Sequence, residues 1–237
     1  MGRDGLCGAA YGIRWGRPGA ARLDALQVVD AVMTRSVLGR ILTEEERRPP
    51  PEFYERARWY ACYTRARHEK RVAAALGERG IEAFLPMLEQ LRQWKDRKKR
   101  VALPLFPGYV FGRFDLGSMH SVLTIPGVAT IVRANGYPTP IPDRELENVR
   151  RFAAALGATG AEAEVRPFLG EGDWVRVMEG PFAGVEGIIL ELRGRRRVLV
   201  GLRAIGQGLE VDLDRFAVEA VVAPEREEAT SPPGAGC

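Results

Sequence analysis

Apolar positions along this chain follow two periods, and the switches between them mark the elements. Trp59-Tyr60-Ala61-Cys62-Tyr63-Thr64 is an aromatic-rich run with strand character. Between His68 and Arg79, Val72, Ala75 and Leu76 recur at i, i+3 and i+4 among charged residues, which predicts an amphipathic helix that Gly80 can end. Residues 82–86 and 88–95 read as extended, 96–99 as a polar turn and 101–105 as a return strand, together a hairpin with a charged tip. A strand over 109–114, a short helix over 116–125 and a strand over 128–133 follow, and Asn135-Gly136 is a strong turn signal. After a proline-marked loop to Pro142, Leu146, Val149, Ala153 and Leu156 fall three and four apart and predict a last helix. Strands, a hairpin and helices in this order describe an α+β domain over residues 58–156.

From Gly157 the hydrophobic period stops, and residues 157–168, dominated by small and charged side chains, read as a flexible linker. Residues 173–177, 185–192, 197–202, 209–212 and 216–222 then form short alternating runs between Gly-rich turns, the pattern of a small all-β barrel over residues 169–223. Residues 1–57 read as a poorly structured extension and residues 224–237 as a disordered tail. Met33 is an alternative start of translation, which a peptide from residues 1–32 in the mass spectrum of the protein would exclude.

Two domains suit a length of 237 residues, and 46% apolar with 28% charged residues is ordinary globular composition. The net charge of +4 is small, so any nucleic-acid argument rests on where the positive residues cluster. No run approaches the roughly 18 apolar residues of a membrane span, and no secretory pattern opens the chain, so a cytoplasmic protein without a membrane partner is expected. Cys7, Cys62 and Cys237 are far apart and outside any metal spacing, and read as free thiols. His68 and His120 lack a nucleophile motif nearby and no phosphate-binding loop occurs, so neither an enzyme, a cofactor nor a metal is expected.

Three segments carry candidate contacts. In Pro104-Leu105-Phe106-Pro107-Gly108-Tyr109-Val110-Phe111, residues 109 and 111 share one strand face and 110 the other, so Tyr109 and Phe111 either form a binding patch or are core. Arg92-Gln93-Trp94-Lys95-Asp96-Arg97-Lys98-Lys99-Arg100 gathers positive charge around one ring, which suits phosphates and an unpaired base; its bland alternative is a solvated turn. In Gly180-Pro181-Phe182-Ala183-Gly184-Val185-Glu186-Gly187, glycines 180, 184 and 187 permit positive-φ turns and bulges, and Val175, Val177, Val185 and Ile188 can fill the barrel. Phe182 sits in a turn, where it either makes an outside contact or folds back to cap the barrel.

Trp59-Tyr60 with the Phe-Pro-Gly-Tyr segment resembles the N-terminal (NGN) domain of NusG-family proteins, and residues 172–177 with 180–187 resemble the KOW motif that opens the family's SH3-like C-terminal barrel. The resemblance spans residues 58–222. It implies a transcription elongation or antitermination factor, monomeric and acting by binding alone. Carried over residue by residue, it implicates Tyr63, Phe106, Tyr109 and Phe111 in binding the β′ clamp helices of RNA polymerase, and His120 and Ser121 in touching the β gate loop. At His120-Ser121 the match is partial, since Val122 stands where a polar residue is usual, and a local hydrogen-bonding role for the histidine stays open. The resemblance further assigns Arg65, Trp94, Lys95, Arg97, Lys98, Lys99 and Arg100 to upstream or non-template DNA, and Phe182 to a ribosomal small-subunit protein or Rho. The 80–111 segment and residues 136–142 are most similar to the specialised RfaH/UpxY-type paralogues, although the KOW segment fits the general factor equally. The rival reading is a ribosome-associated or general RNA-binding KOW protein.

Overall fold

The structure, a computed structural model, describes residues 48–93, 98–134, 136–161, 163–167, 172–192, 195–213 and 217–222. Helix α1 (Glu52–Glu55) is one turn, and its Phe53 is buried 6.1 Å from the Tyr137 ring and 4.9 Å beneath the Arg58 guanidinium. The extension expected to reach residue 57 therefore ends in packed structure, because one aromatic ring is anchored on the first domain. Strand β1 (Arg58–Thr64) leads into α2 (Glu69–Glu78), which turns Val72 and Leu76 inward and gives way to Gly80 at φ 72°. Strand β2 (Glu82–Phe84) precedes a two-stranded ribbon, β3 (Met87–Gln93) and β4 (Lys98–Pro104), and then β5 (Tyr109–Phe114). A 3-10 turn opens α3 (Met119–Leu123), followed by β6 (Val128–Ile131), the short β7 (Arg133–Ala134), β8 (Tyr137–Pro138) and β9 (Pro140–Ile141), and α4 (Asp143–Thr159).

The first-domain sheet runs β2-β5-β1-β6, with β9 also on β1. Antiparallel register sets Ala61 opposite Phe111, Cys62 opposite Val110 and Tyr63 opposite Tyr109. Since side chains alternate across a strand, Trp59, Ala61, Tyr109 and Phe111 share one face with the apolar stripe of α4. Tyr60, Cys62, Val110 and Phe114 share the other, with Val72 and Leu76 of α2 and Val122 of α3. On α4, Leu146, Val149 and Leu156 are buried as the spacing predicts; Phe152 is fully buried as well, while the expected Ala153 is only partly so.

Past α4 the expectation of a linker over residues 157–168 is corrected. The helix continues to Thr159 and is capped by Gly160 in the left-handed conformation, φ 65°, with its N–H donating to Leu156 O at 2.9 Å. Residues after it form β10 (Ala163–Pro167), antiparallel to a distant strand, with Ala163 opposite Val211 and Pro167 opposite Gln207. Alanine is a strong helix former, and a strand whose partner is distant leaves no local period, so composition misled on both counts. The barrel strands β11 (Trp174–Val177), β12 (Glu186–Leu192), β13 (Arg195–Leu202), β14 (Gln207–Asp212) and β15 (Val218–Ala220) complete one sheet in the order β10-β14-β13-β12-β11-β15. Val175, Val177 and Val185 fill its interior. Ile188 does not: it lies opposite Trp174 and packs with it and Leu199 on the other face. Gly180 and Gly184 take φ 79° and 80° as expected, whereas Gly187 serves close strand approach rather than a turn.

Candidate functional site

The aromatic segment is assembled at the junction of β1, β5 and the turn before β5. Gly108, at φ 81°, lets the main chain pass under Tyr63, whose Cε2 would lie 3.2 Å from a Cβ at that position. The turn is tied down twice: Thr64 N–H donates to Gly108 O at 2.7 Å, and Gly108 N–H to the buried Glu69 carboxylate at 2.9 Å. Tyr63 and Tyr109 meet at a tilt of 57° with centroids 5.3 Å apart, Phe106 meets Phe111 edge-on at 6.2 Å, and Phe84 lies 6.1 Å from Phe111. Arg150 of α4 reaches over Phe84 at 4.6 Å and Trp59 at 5.9 Å. Phe106, Tyr109 and Phe111 are buried and Tyr63 half-buried, so the four predicted contact residues are together but covered.

Phe182 is in the same cluster. It is 2% exposed, its ring 5.6 Å from that of Phe152, so neither an outward contact nor a simple barrel cap describes its place. The barrel docks on α4 through a stripe, Arg144, Asn148 and Arg151, which the sequence presents as an ordinary solvated helix face. Asn148 pairs with the main chain of Glu186, accepting from its N–H at 2.8 Å and donating to its carbonyl. The Glu186 carboxylate receives Arg144 at 2.7 and 3.0 Å on one oxygen and Arg176 of the barrel at 2.7 and 3.1 Å on the other. Burial raises the pKa of this carboxyl, but the hydrogen bonds and charges of Arg176 and Arg144 outweigh that and hold it below its ordinary value. Arg151 reaches Gly184 O at 3.5 Å, and buried Glu145 accepts from Arg203 Nε at 2.7 Å, a second ion pair across the interface. Sequence reasoning missed Arg144, Glu145, Asn148, Arg151 and Arg203; the spacing of 144, 148 and 151 was the available signal, and nothing local distinguishes it from a solvated face.

The other predicted residues lie elsewhere. Arg65 is exposed after β1, with its N–H on Gly127 O at 2.8 Å. Trp94, Lys95 and Arg97 lie outside the described residues, while Lys98, Lys99 and Arg100 open β4. His120 and Ser121 are exposed on α3, and Val122 beneath them is fully buried, which accounts for an apolar residue there. Arg79 of the α2 terminus holds this helix, donating to Ser121 O and to Thr124 Oγ1, the latter at 3.0 Å. Among the described residues no cluster of three or more His, Cys, Asp or Glu could hold a metal, and no helix is long and apolar enough to cross a membrane.

Comparison with known proteins follows the same division. A family model described as transcription termination factor NusG matches residues 57–150, and one described as KOW motif matches residues 171–200. The chain is 29% identical over 177 residues to the transcription termination/antitermination protein NusG of Pseudomonas aeruginosa, covering 69% of this chain and 98% of that one. A solved structure described as "Domain interaction in Thermotoga maritima NusG" is 27% identical, with a TM-score of 0.40 over 71% of this chain and 99% of that one. The NusG protein of Thermus thermophilus is 32% identical over 176 residues, 66% of this chain and 94% of its own. With both domains matched in order and a relative of that identity spanned almost end to end, the chain belongs to the NusG family.

Proposed function

We propose that this protein is a transcription elongation or antitermination factor that binds RNA polymerase through its N-terminal domain and recruits a second protein through its barrel. Family membership carries the role in transcription. Tyr63, Phe106, Tyr109 and Phe111 form the surface for the β′ clamp helices, His120 and Ser121 reach the β gate loop, and Arg65 with the charged β3–β4 hairpin faces upstream or non-template DNA. Large aromatics suit such a surface because they bury much area with few rotatable bonds. Phe182 is the barrel's contact for a ribosomal protein or Rho. The observation that carries this reading is that the aromatic segment and Phe182 belong to one buried cluster, bolted by Arg144, Asn148 and Glu186. Phe182 is seated against Phe152 of α4, in the cluster that also holds the aromatic segment, so we read the described arrangement as a closed resting form in which binding requires the domains to part.

The test is a pull-down with core polymerase lacking nucleic acid, beside transcription in vitro through a Rho-dependent terminator. Wild type is compared with Arg144→Ala/Asn148→Ala, which breaks the closure without touching the aromatic residues. The double variant is expected to bind polymerase more tightly and to change read-through more strongly. Increased read-through marks a specialised antiterminator and decreased read-through a general factor that assists Rho. Absence of polymerase binding by either protein refutes the proposal.

A further inference from the structure

The edge of the barrel sheet carries an inference of its own. Strand β10 is the terminal strand of its sheet and comes from the segment that joins the two domains. Its register on β14 runs from Ala163 opposite Val211 to Pro167 opposite Gln207. It is weakly built for a permanent member. Ala163 is fully buried, Val165 is half-buried opposite Leu209, the register sets Glu164 opposite another acid, Glu210, and Pro167 has no N–H to give. The strands it joins are built otherwise, with Val198, Val200, Leu202, Leu209 and Val211 all buried. A specific contact marks its place: Arg166 Nε lies 3.1 Å from Glu210, a carboxylate 2% exposed that also binds Arg197. If β10 leaves, β14 shows a row of main-chain donors and acceptors, two apolar seats and a buried carboxylate, Glu210, that has lost Arg166 from one oxygen and keeps Arg197 on the other.

We propose that β10 is a self-supplied stand-in for a partner strand, and that the barrel's second partner adds an extended protein segment to the β14 edge in its place. The segment presents a small apolar residue, a second apolar residue two positions later and an arginine or lysine immediately after it, the pattern of Ala163, Val165 and Arg166. This deepens the reading of the barrel as a recruiting module by naming the kind of partner it takes. Release of the strand also lengthens the tether. With β10 paired, three steps of chain separate Gly160 from Ala163, a reach of roughly 10 Å; release of Ala163–Pro167 adds the length of that strand, roughly 17 Å.

The probe is a fluorescent peptide with the sequence of residues 160–168, added to the full chain and to a Val165→Gly/Arg166→Glu variant that weakens β10. Fluorescence polarisation is expected to show at least tenfold tighter binding to the variant than to wild type. A peptide with glutamate in place of its arginine should lose that binding. Equal binding to both proteins, or to neither while the variant's β12 and β13 amides stay protected, overturns the proposal. Hydrogen exchange on wild type decides independently of the variant's folding: β10 amides should exchange at least tenfold faster than those of β12 and β13, and equal protection refutes a removable strand. Polymerase takes no part in these measurements, so they fail or succeed separately from the polymerase reading.

Discussion

Asn148 does with one side-chain amide what a neighbouring strand does with its main chain, giving and taking a hydrogen bond at Glu186. No aspartate can replace it, since a carboxylate accepts from the N–H but cannot give to the carbonyl. Asn148→Ala should weaken docking by about 1–3 kcal/mol, because two main-chain groups are left without partners, and a spin-label distance between the domains should lengthen. The adjoining carboxyl has a defined pH signature. Glu186 titrates below its ordinary 4.5, so its contribution is complete above that value and is lost as pH falls through the lowered folded pKa. The same inter-domain distance should therefore hold from neutral pH down to about 4.5 and grow in the more acid range, and Glu186→Gln should flatten that limb. None of this was legible in the sequence. A polar residue on a helix face has the same pattern whether water or a barrel lies beyond it, and Phe152 sat one position from the alanine that completed the expected stripe.

At the scale of elements, legibility followed how local the cause is. The aromatic strand β1, the amphipathic α2 and the short barrel strands were all readable, because alternation and 3.6-residue spacing are properties of neighbouring residues. Strand β10 was not, since what makes Ala-Glu-Val-Arg-Pro a strand is β14, and helix α4 runs on through Gly157, Ala158 and Thr159, which composition assigns equally to a linker. Gly187 shows the same limit. Its neighbours Gly180 and Gly184 are turn glycines, but a Cβ at Gly187 would lie 2.6 Å from the carbonyl oxygen of Leu199 and 2.7 Å from Val198 Cγ2. Gly187→Ala should push β12 off β13 at a cost of about 1–3 kcal/mol, seen as a fall of several degrees in the melting temperature, while first-domain residues stay unaffected.

For the molecule as a whole, the sequence singled out these aromatic residues but said nothing of where they lie relative to one another. Phe106, Tyr109, Phe111 and Phe182 were each marked for an outside partner, and the fold closes them into one cluster around α4. Phe182→Ala should cost about 3 kcal/mol, chiefly by emptying the seat against Phe152, and small-angle scattering should then report a larger radius of gyration with the secondary structure intact. The Phe152–Phe182 contact also ties the two proposed ligands together. On the proposed closed form, a ligand that needs Phe182 free and one that needs the aromatic face free both require the domains to part, and the second to arrive finds that contact already broken. Each ligand therefore raises the affinity of the other by the same factor, without the two ever touching. If about one molecule in a hundred is open at rest, that mutual gain is on the order of a hundredfold, which makes the chain respond to both signals together far more than to either alone.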